Sequence, residues 1–192
     1  MPQRTGAIPK SLLDFYIKVI ADNFDQFVEI DTFKYESIKF WRRTESEGFY
    51  AVFDSLDNNK LLYFVNYNTV KIINTKSVRQ TLVHNVDKTH PRTAGLAKHI
   101  VINILLPRFG VIASDIEQSM DGERLWVYLI DFSIDVNKVI YLVSVNSKKV
   151  TKLSSSQDNT LILRSAWSEN ESSKDLVFVI SNEKVPEFER LV

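Results

Sequence analysis

The sequence predicts an α+β fold with a mixed, mainly antiparallel central sheet, flanking helices and extra strands near the C-terminus. A helix-periodic run lies near the N-terminus, a long stretch rich in Val, Ile, Phe, Tyr and Thr follows it, and a helix, strand, helix unit occupies the middle. With 192 residues and 44% apolar content, we expect a single domain over residues 1–192 around a buried core.

The composition excludes several classes of site. Lys plus Arg and Asp plus Glu each number 24, so no net charge draws the chain to nucleic acid or acidic membranes. The absence of cysteine excludes disulfides, thiolate metal sites and cysteine nucleophiles. No secretory pattern opens the chain, and its apolar runs are shorter than the roughly 18 residues of a membrane span. We expect a cytoplasmic protein with no membrane partner.

The N-terminal half predicts one helix and a meander of strands. Ser11 and Asp14 resemble a capping box, and a buried stripe is expected to follow it at Leu12, Leu13, Tyr16, Val19 and Ile20. Asn-rich stretches at 57–59 and 66–68 predict turns. The predicted strands are 38–42, 49–53, 61–65, 69–73 and 78–83.

The second half begins with two amphipathic helices around a short strand. The first helix carries its apolar face from Leu96 to Leu105 and is expected to stop at Pro107. A strand at 111–113 follows, and Asp121 is the predicted N-cap of a helix that buries Leu125, Trp126, Leu129 and Ile130. The remaining predicted strands are 139–145, 150–153, 160–163 and 176–180.

The segment around Gly95 has the features of a phosphate-binding loop. Gly95 stands where a loop becomes a helix, so backbone N–H groups and the positive end of the helix dipole can approach an anion. No Asp or Glu occurs from 88 to 114, while Arg92 and Lys98 flank the glycine. The alternatives are a glycine that only eases helix entry and a solvated Lys98.

The motif Arg92-Thr93-Ala94-Gly95-Leu96-Ala97 resembles the R/Q-x-x-G-x-G/A pattern of the GNAT-superfamily N-acetyltransferases. The order of predicted elements is also similar, with a meander before the loop and helix, strand, helix after it. The resemblance implies that Arg92, Lys98 and the backbone of 93–97 hold the pyrophosphate of acetyl-coenzyme A or another acyl-coenzyme A. It further implies that the strand end at Leu82, Val83 and His84 pairs with the pantetheine arm.

The implied reaction is acyl transfer from a thioester to an unidentified amine acceptor. Such a transfer needs a deprotonated amine, a polarised thioester carbonyl and a protonated leaving thiolate. Tyr128 is the candidate acid, although the family's usual tyrosine aligns with Trp126. His84 is the candidate base. Asp115, in the polar stretch after the short strand, is a candidate for attracting a cationic amine, and equally a turn acid.

Several alternatives stay open at this stage. Tyr128 and His84 are otherwise ordinary partly buried or surface residues, and the three histidines lack acids at ligand spacing, so no metal site is expected. A long stretch at 84–91 departs from the family pattern. The chain is then either an N-acyltransferase or a non-catalytic interaction protein on the same fold. A nucleic-acid binder using Arg42 and Arg43 beside Phe40 and Trp41 is the third possibility.

Overall fold

The structure is a computed structural model that describes residues 10–34, 36–44, 46–86, 90, 93–115, 120–154 and 175–192. The chain divides into two compact units. Of the described residues, those within 10–68 and 81–97 form the N-terminal unit, and those within 69–80 and 98–192 form the C-terminal unit. The class is α+β, with a mixed, mostly antiparallel open sheet, as the sequence predicted.

The N-terminal unit is an antiparallel meander with one long helix. Its strands follow the order β1-β2-β3-β4-β5, and β4 and β5 also contribute residues to the C-terminal unit. The elements are α1 (Lys10–Asp22), a 3-10 turn (Phe24–Gln26), β1 (Val28–Phe33), β2 (Glu36–Arg42), β3 (Glu47–Asp54), β4 (Lys60–Ile72) and β5 (Thr75–Asn85).

The strand register places different residues on the two faces of this meander. Glu36 pairs with Asp54 and Ile38 with Val52, so these residues share one face. The other face carries the aromatic cluster that packs against α1. Members of this cluster are Ile20, Phe27, Phe49, Ala51, Phe53 and Phe64.

Two expectations for this unit were wrong, and one strand was not predicted. Residues 66–68 do not form a turn, because Tyr67 pairs with Gly48 and packs on Tyr50, and this packing overrides the turn preference of asparagine. The sequence did not predict β1, an edge strand whose residues are mostly exposed and whose register shifts between Glu29 and Asp31. In α1, Leu12 is exposed, and the packed stripe includes Ile17 instead.

The C-terminal unit arranges its strands in the order β5-β6-β9-β7-β8. β5 and β6 are parallel, paired at Val78 with Ile112 and at Arg79 with Ala113, and the other described pairs here are antiparallel. The elements are α2 (Leu96–Lys98), a π-helix (His99–Leu105), α3 (Leu106–Phe109), β6 (Val111–Ala113), α4 (Met120–Asp135), β7 (Val139–Ser144), β8 (Val150–Leu153), β9 (Leu176–Ser181) and α5 (Pro186–Glu189).

The helix that was expected to stop at Pro107 continues to Phe109. A π-helix connects α2 to α3, and Pro107 lies in the first turn of α3, the part of a helix in which proline is best tolerated. Gly110, at φ +76°, then ends the segment, with its N–H donating to Leu106 O at 2.8 Å. Asp121 lies within the first turn of α4, not before it. The predicted strand at 160–163 falls outside the described residues.

A polar cluster ties the C-terminal helix α5 to the sheet. Glu189 Oε1 accepts hydrogen bonds from Tyr141 Oη and Lys152 Nζ, each at 2.7 Å, and Tyr141 Oη accepts one from Val185 N. Desolvation, followed by the bond to Glu189, raises the pKa of Tyr141 to about 12. The bond from Lys152, followed by that from Tyr141, holds the pKa of Glu189 below its ordinary value. In the described part of the chain, no helix is long and apolar enough to cross a membrane.

Candidate phosphate-binding loop and associated residues

The predicted phosphate loop follows β5 in the N-terminal unit and leads into α2. A tight turn precedes it, in which Thr93 N and Thr93 Oγ1 both donate to His90 O, at 3.2 and 2.9 Å. Ala94 and Gly95 are exposed, whereas Leu96 is fully buried and anchors the start of the helix. The loop therefore presents backbone to solvent while its base is held by a hydrogen-bonded turn and an apolar anchor.

Gly95 has a left-handed conformation, with φ +85°. A side chain is strained at this angle, so the glycine is required by the backbone. A Cβ added there would meet only the Phe33 ring, 3.9 Å from Cζ, so the outer side of the loop is open. The first N–H groups of any helix lack acceptors within the helix. In this helical segment the first residue is Leu96. The arrangement can bind an anion through backbone donors.

Of the two cations predicted to flank the loop, the structure describes Lys98 but not Arg92, which lies outside the described residues. The Lys98 ammonium lies over the Phe132 ring of α4, 4.3 Å from its centroid, in the C-terminal unit. Lys98 is half-buried there, so it is not simply a solvated lysine. Ala97 is half-buried as well.

The predicted pantetheine-binding residues Leu82, Val83 and His84 all lie in β5. Val83 and His84 are half-buried. The His84 imidazole packs against Phe64, with ring centroids 5.7 Å apart, and therefore lies on the α1 side of the meander. The structure thus places this candidate base on the face opposite Asp54.

The candidate acid Tyr128 lies on the solvent-facing side of α4 and is 48% exposed. Trp126, with which the family tyrosine aligns, is completely buried together with Leu129 and Ile130, as the amphipathic pattern predicted. A hydroxyl at position 126 would accordingly be inside the core. Tyr128 is the α4 tyrosine that a substrate can reach.

Asp115 follows β6 in the C-terminal unit and is half-buried. Its neighbour Ser114 is buried and extends the β6–β9 pairing, since Ser114 N donates to Phe178 O at 2.8 Å and Phe178 N donates to Ser114 Oγ at 3.0 Å. Residues 116–119, the rest of the predicted acceptor stretch, fall outside the described residues.

The N-terminal unit contains two buried acids that the sequence did not predict. Glu36 and Asp54 are both completely buried, and they face each other across β2 and β3. His90 approaches this pair, with Nε2 3.4 Å from Asp54 Oδ2. The available signal was weak, because Asp54 follows an apolar run and resembles an ordinary turn residue, and Glu36 stands among mixed polar and apolar residues.

The structure also bears on the metal and nucleic-acid possibilities. Among the described residues, no group of three or more His, Asp or Glu side chains is arranged to hold a metal ion. Phe40 and Trp41 lie on opposite faces of β2 and pack on Tyr50 and Phe49, so they do not form one platform for stacked bases.

No protein-family model matches the chain, and no curated protein matches it in sequence.

Proposed function

We propose that this protein is an N-acyltransferase of the GNAT type, which moves an acetyl or other acyl group from coenzyme A to an amine. The observation that carries the proposal is the conformation of Gly95, a glycine with a positive φ in an exposed loop at the start of a helical segment. The motif Arg92 to Ala97 supplies the sequence support. In this proposal, backbone N–H groups of 94–97 bind the coenzyme pyrophosphate, while the Thr93 N–H donates to His90 O and anchors the start of the loop, and Lys98 is a residue of the helix that follows.

The order of elements supports the same proposal. An antiparallel meander precedes the loop, and a helical segment, the short strand β6 and the helix α4 follow it. This is the order that the resemblance implies. β5 and β6 are parallel, so the helical segment between them is a crossover connection. The last described strand, β9, lies between β6 and β7 in the sheet.

The proposed chemistry forms a carbon–nitrogen bond and breaks the carbon–sulfur bond of the thioester. The amine loses a proton to a base, and the leaving thiolate gains one from an acid. Tyr128 is the proposed acid because its hydroxyl is exposed, whereas position 126 is buried. His84 is the proposed base and Asp115 the proposed contact for a cationic acceptor. We place the protein in the cytoplasm, and leave the acceptor amine to be identified by screening.

The proposal is tested by isothermal titration with acetyl-coenzyme A. We expect wild type to bind with a micromolar Kd and Gly95→Asp to show no binding, because the new carboxylate repels the pyrophosphate. Gly110→Asp is the matched control, since Gly110 has a similar φ of +76° and open space around it. It should keep wild-type affinity. S-acetylpantetheine, which lacks the pyrophosphate, should bind far more weakly than acetyl-coenzyme A. Failure of wild type to bind acetyl-coenzyme A overturns the proposal.

A further inference from the structure

Three residues pair across adjacent strands at the end of the meander. Two of them are buried acids, and apolar packing alone does not explain their presence there. Phe33 of β1 pairs with Glu36 of β2, and Glu36 pairs with Asp54 of β3. We call these three residues the strand-end row. Both carboxylates in it are completely buried. Burying two acids next to each other is costly unless cationic or hydrogen-bonding groups stabilise them.

The groups around Asp54 come from several elements. Asp54 Oδ1 accepts a hydrogen bond from Leu56 N at 2.9 Å, within its own turn. Glu36 faces Asp54 from β2, and Lys60 is its pairing partner on β4. His90 approaches from the loop, with Nε2 3.4 Å from Asp54 Oδ2. This separation lies in the range of an ion pair but is longer than the about 2.7–2.9 Å of a charge-assisted hydrogen bond.

The strand-end row is linked to the phosphate loop at two places. The first link runs through His90, which lies 3.4 Å from Asp54 Oδ2 and whose carbonyl accepts both hydrogen bonds from Thr93. Attraction between the Asp54 carboxylate and the His90 ring therefore also supports the start of the loop. The second link is at the middle of the loop, where the Phe33 ring lies within van der Waals distance of the position that a Cβ of residue 95 would occupy.

We propose that Asp54 is a positioning residue, which acts through His90, with Phe33 as a second support, to hold loop 93–97 in its anion-binding conformation. This inference rests on the proposed function for the identity of the anion, the coenzyme pyrophosphate. Preorganised backbone donors bind more tightly than donors that must be ordered on binding, because the cost in conformational entropy is already met in the fold. Asp54 is thus expected to contribute to affinity without touching the coenzyme.

The test combines amide hydrogen exchange of the loop with acetyl-coenzyme A titration, on the full chain. Asp54→Asn keeps an acceptor for Leu56 N but removes the charge, and His90→Gln removes the ring at a residue that is only partly buried. Asp57→Asn, an exposed acid in the adjacent turn, is the matched control. We expect the first two variants to exchange the amides of 93–97 about tenfold faster and to weaken acetyl-coenzyme A binding about tenfold. Asp57→Asn should change neither.

The possible results separate the two proposals. Faster exchange confined to the loop supports the positioning role even if wild type fails to bind acetyl-coenzyme A, a result that would overturn only the proposed function. Unchanged loop exchange in both His90→Gln and Asp54→Asn overturns the positioning role, whatever the coenzyme affinity. Exchange that rises equally throughout the N-terminal unit also overturns it, because the effect would then be general destabilisation. The double variant should be no worse than the poorer single one.

Discussion

Gly48→Ala should destabilise the protein through steric crowding among the aromatic rings on the face of the meander that also carries Glu36 and Asp54. A Cβ at Gly48 would press on Tyr67 Oη, and it would lie 2.7 Å from Tyr67 Cζ and 2.9 Å from Phe40 Cε2. Tyr67 is 3% exposed and its ring centroid lies 5.4 Å from that of Tyr50, so it cannot move out to solvent. The methyl group therefore has to displace a packed ring.

The magnitude follows from two opposing effects. Overpacking of a tight core costs about 1–3 kcal/mol, and the contacts here indicate the upper part of that range. Replacing glycine by alanine in a strand returns about 0.5–1 kcal/mol of backbone entropy. The net loss should be about 2 kcal/mol, which corresponds to a fall in Tm of about 4–8 °C for a chain of this size.

Equilibrium urea unfolding measures this loss directly, with Tyr67→Ala as the test of its cause. Removing the ring is itself costly, but in that background Gly48→Ala should cost less than about 1 kcal/mol, because the main obstacle is gone. The reasoning is refuted if Gly48→Ala is as stable as wild type. It is also refuted if the loss persists unchanged without the Tyr67 ring.

Three further outcomes are expected. Gly95→Ala and Gly110→Ala should each lose about 1 kcal/mol in urea unfolding, because both glycines have positive φ and open surroundings, and only the former should weaken acetyl-coenzyme A binding. Tyr128→Phe should leave the Tm unchanged and slow acyl transfer about 100-fold or more in a thiol-release assay; an unchanged rate would reject it as the acid. Glu189→Gln should lower the Tm at neutral pH. Since the folded state depresses the pKa of Glu189 below 4.5, the stabilisation is present above that pH and the Tm difference should shrink as pH falls below it; a constant difference would contradict the linkage.

The sequence predicted elements well where one face of a segment is plainly apolar. α4 is the clearest case, since Trp126, Leu129 and Ile130 of the predicted stripe are completely buried and Leu125, its fourth member, is partly buried. β8 also has its predicted bounds, Val150–Leu153. In both elements the local periodicity and the tertiary packing favour the same structure, so sequence reasoning needs no knowledge of the neighbours.

The sequence failed where distant contacts overrule local preference. Asparagines at 66 and 68 favour a turn, but Tyr67 is held in β4 by packing opposite Gly48. Pro107 would end an ordinary helix, but the π-helix before it brings the proline into a first turn. The buried acids show the same limitation, because the pairing of Glu36 with Asp54 depends on a register that the sequence does not contain.

The central claim is that backbone donors of loop 93–97 bind the coenzyme pyrophosphate. The most direct test is the ¹⁵N–¹H NMR spectrum of the wild-type protein, recorded during titration with acetyl-coenzyme A. We expect the largest shifts at the amides of Ala94, Gly95, Leu96 and Ala97, where hydrogen bonds to phosphate would form, because the Thr93 N–H already donates to His90 O. Shifts confined to other parts of the chain, or no shifts at millimolar coenzyme, would contradict the claim.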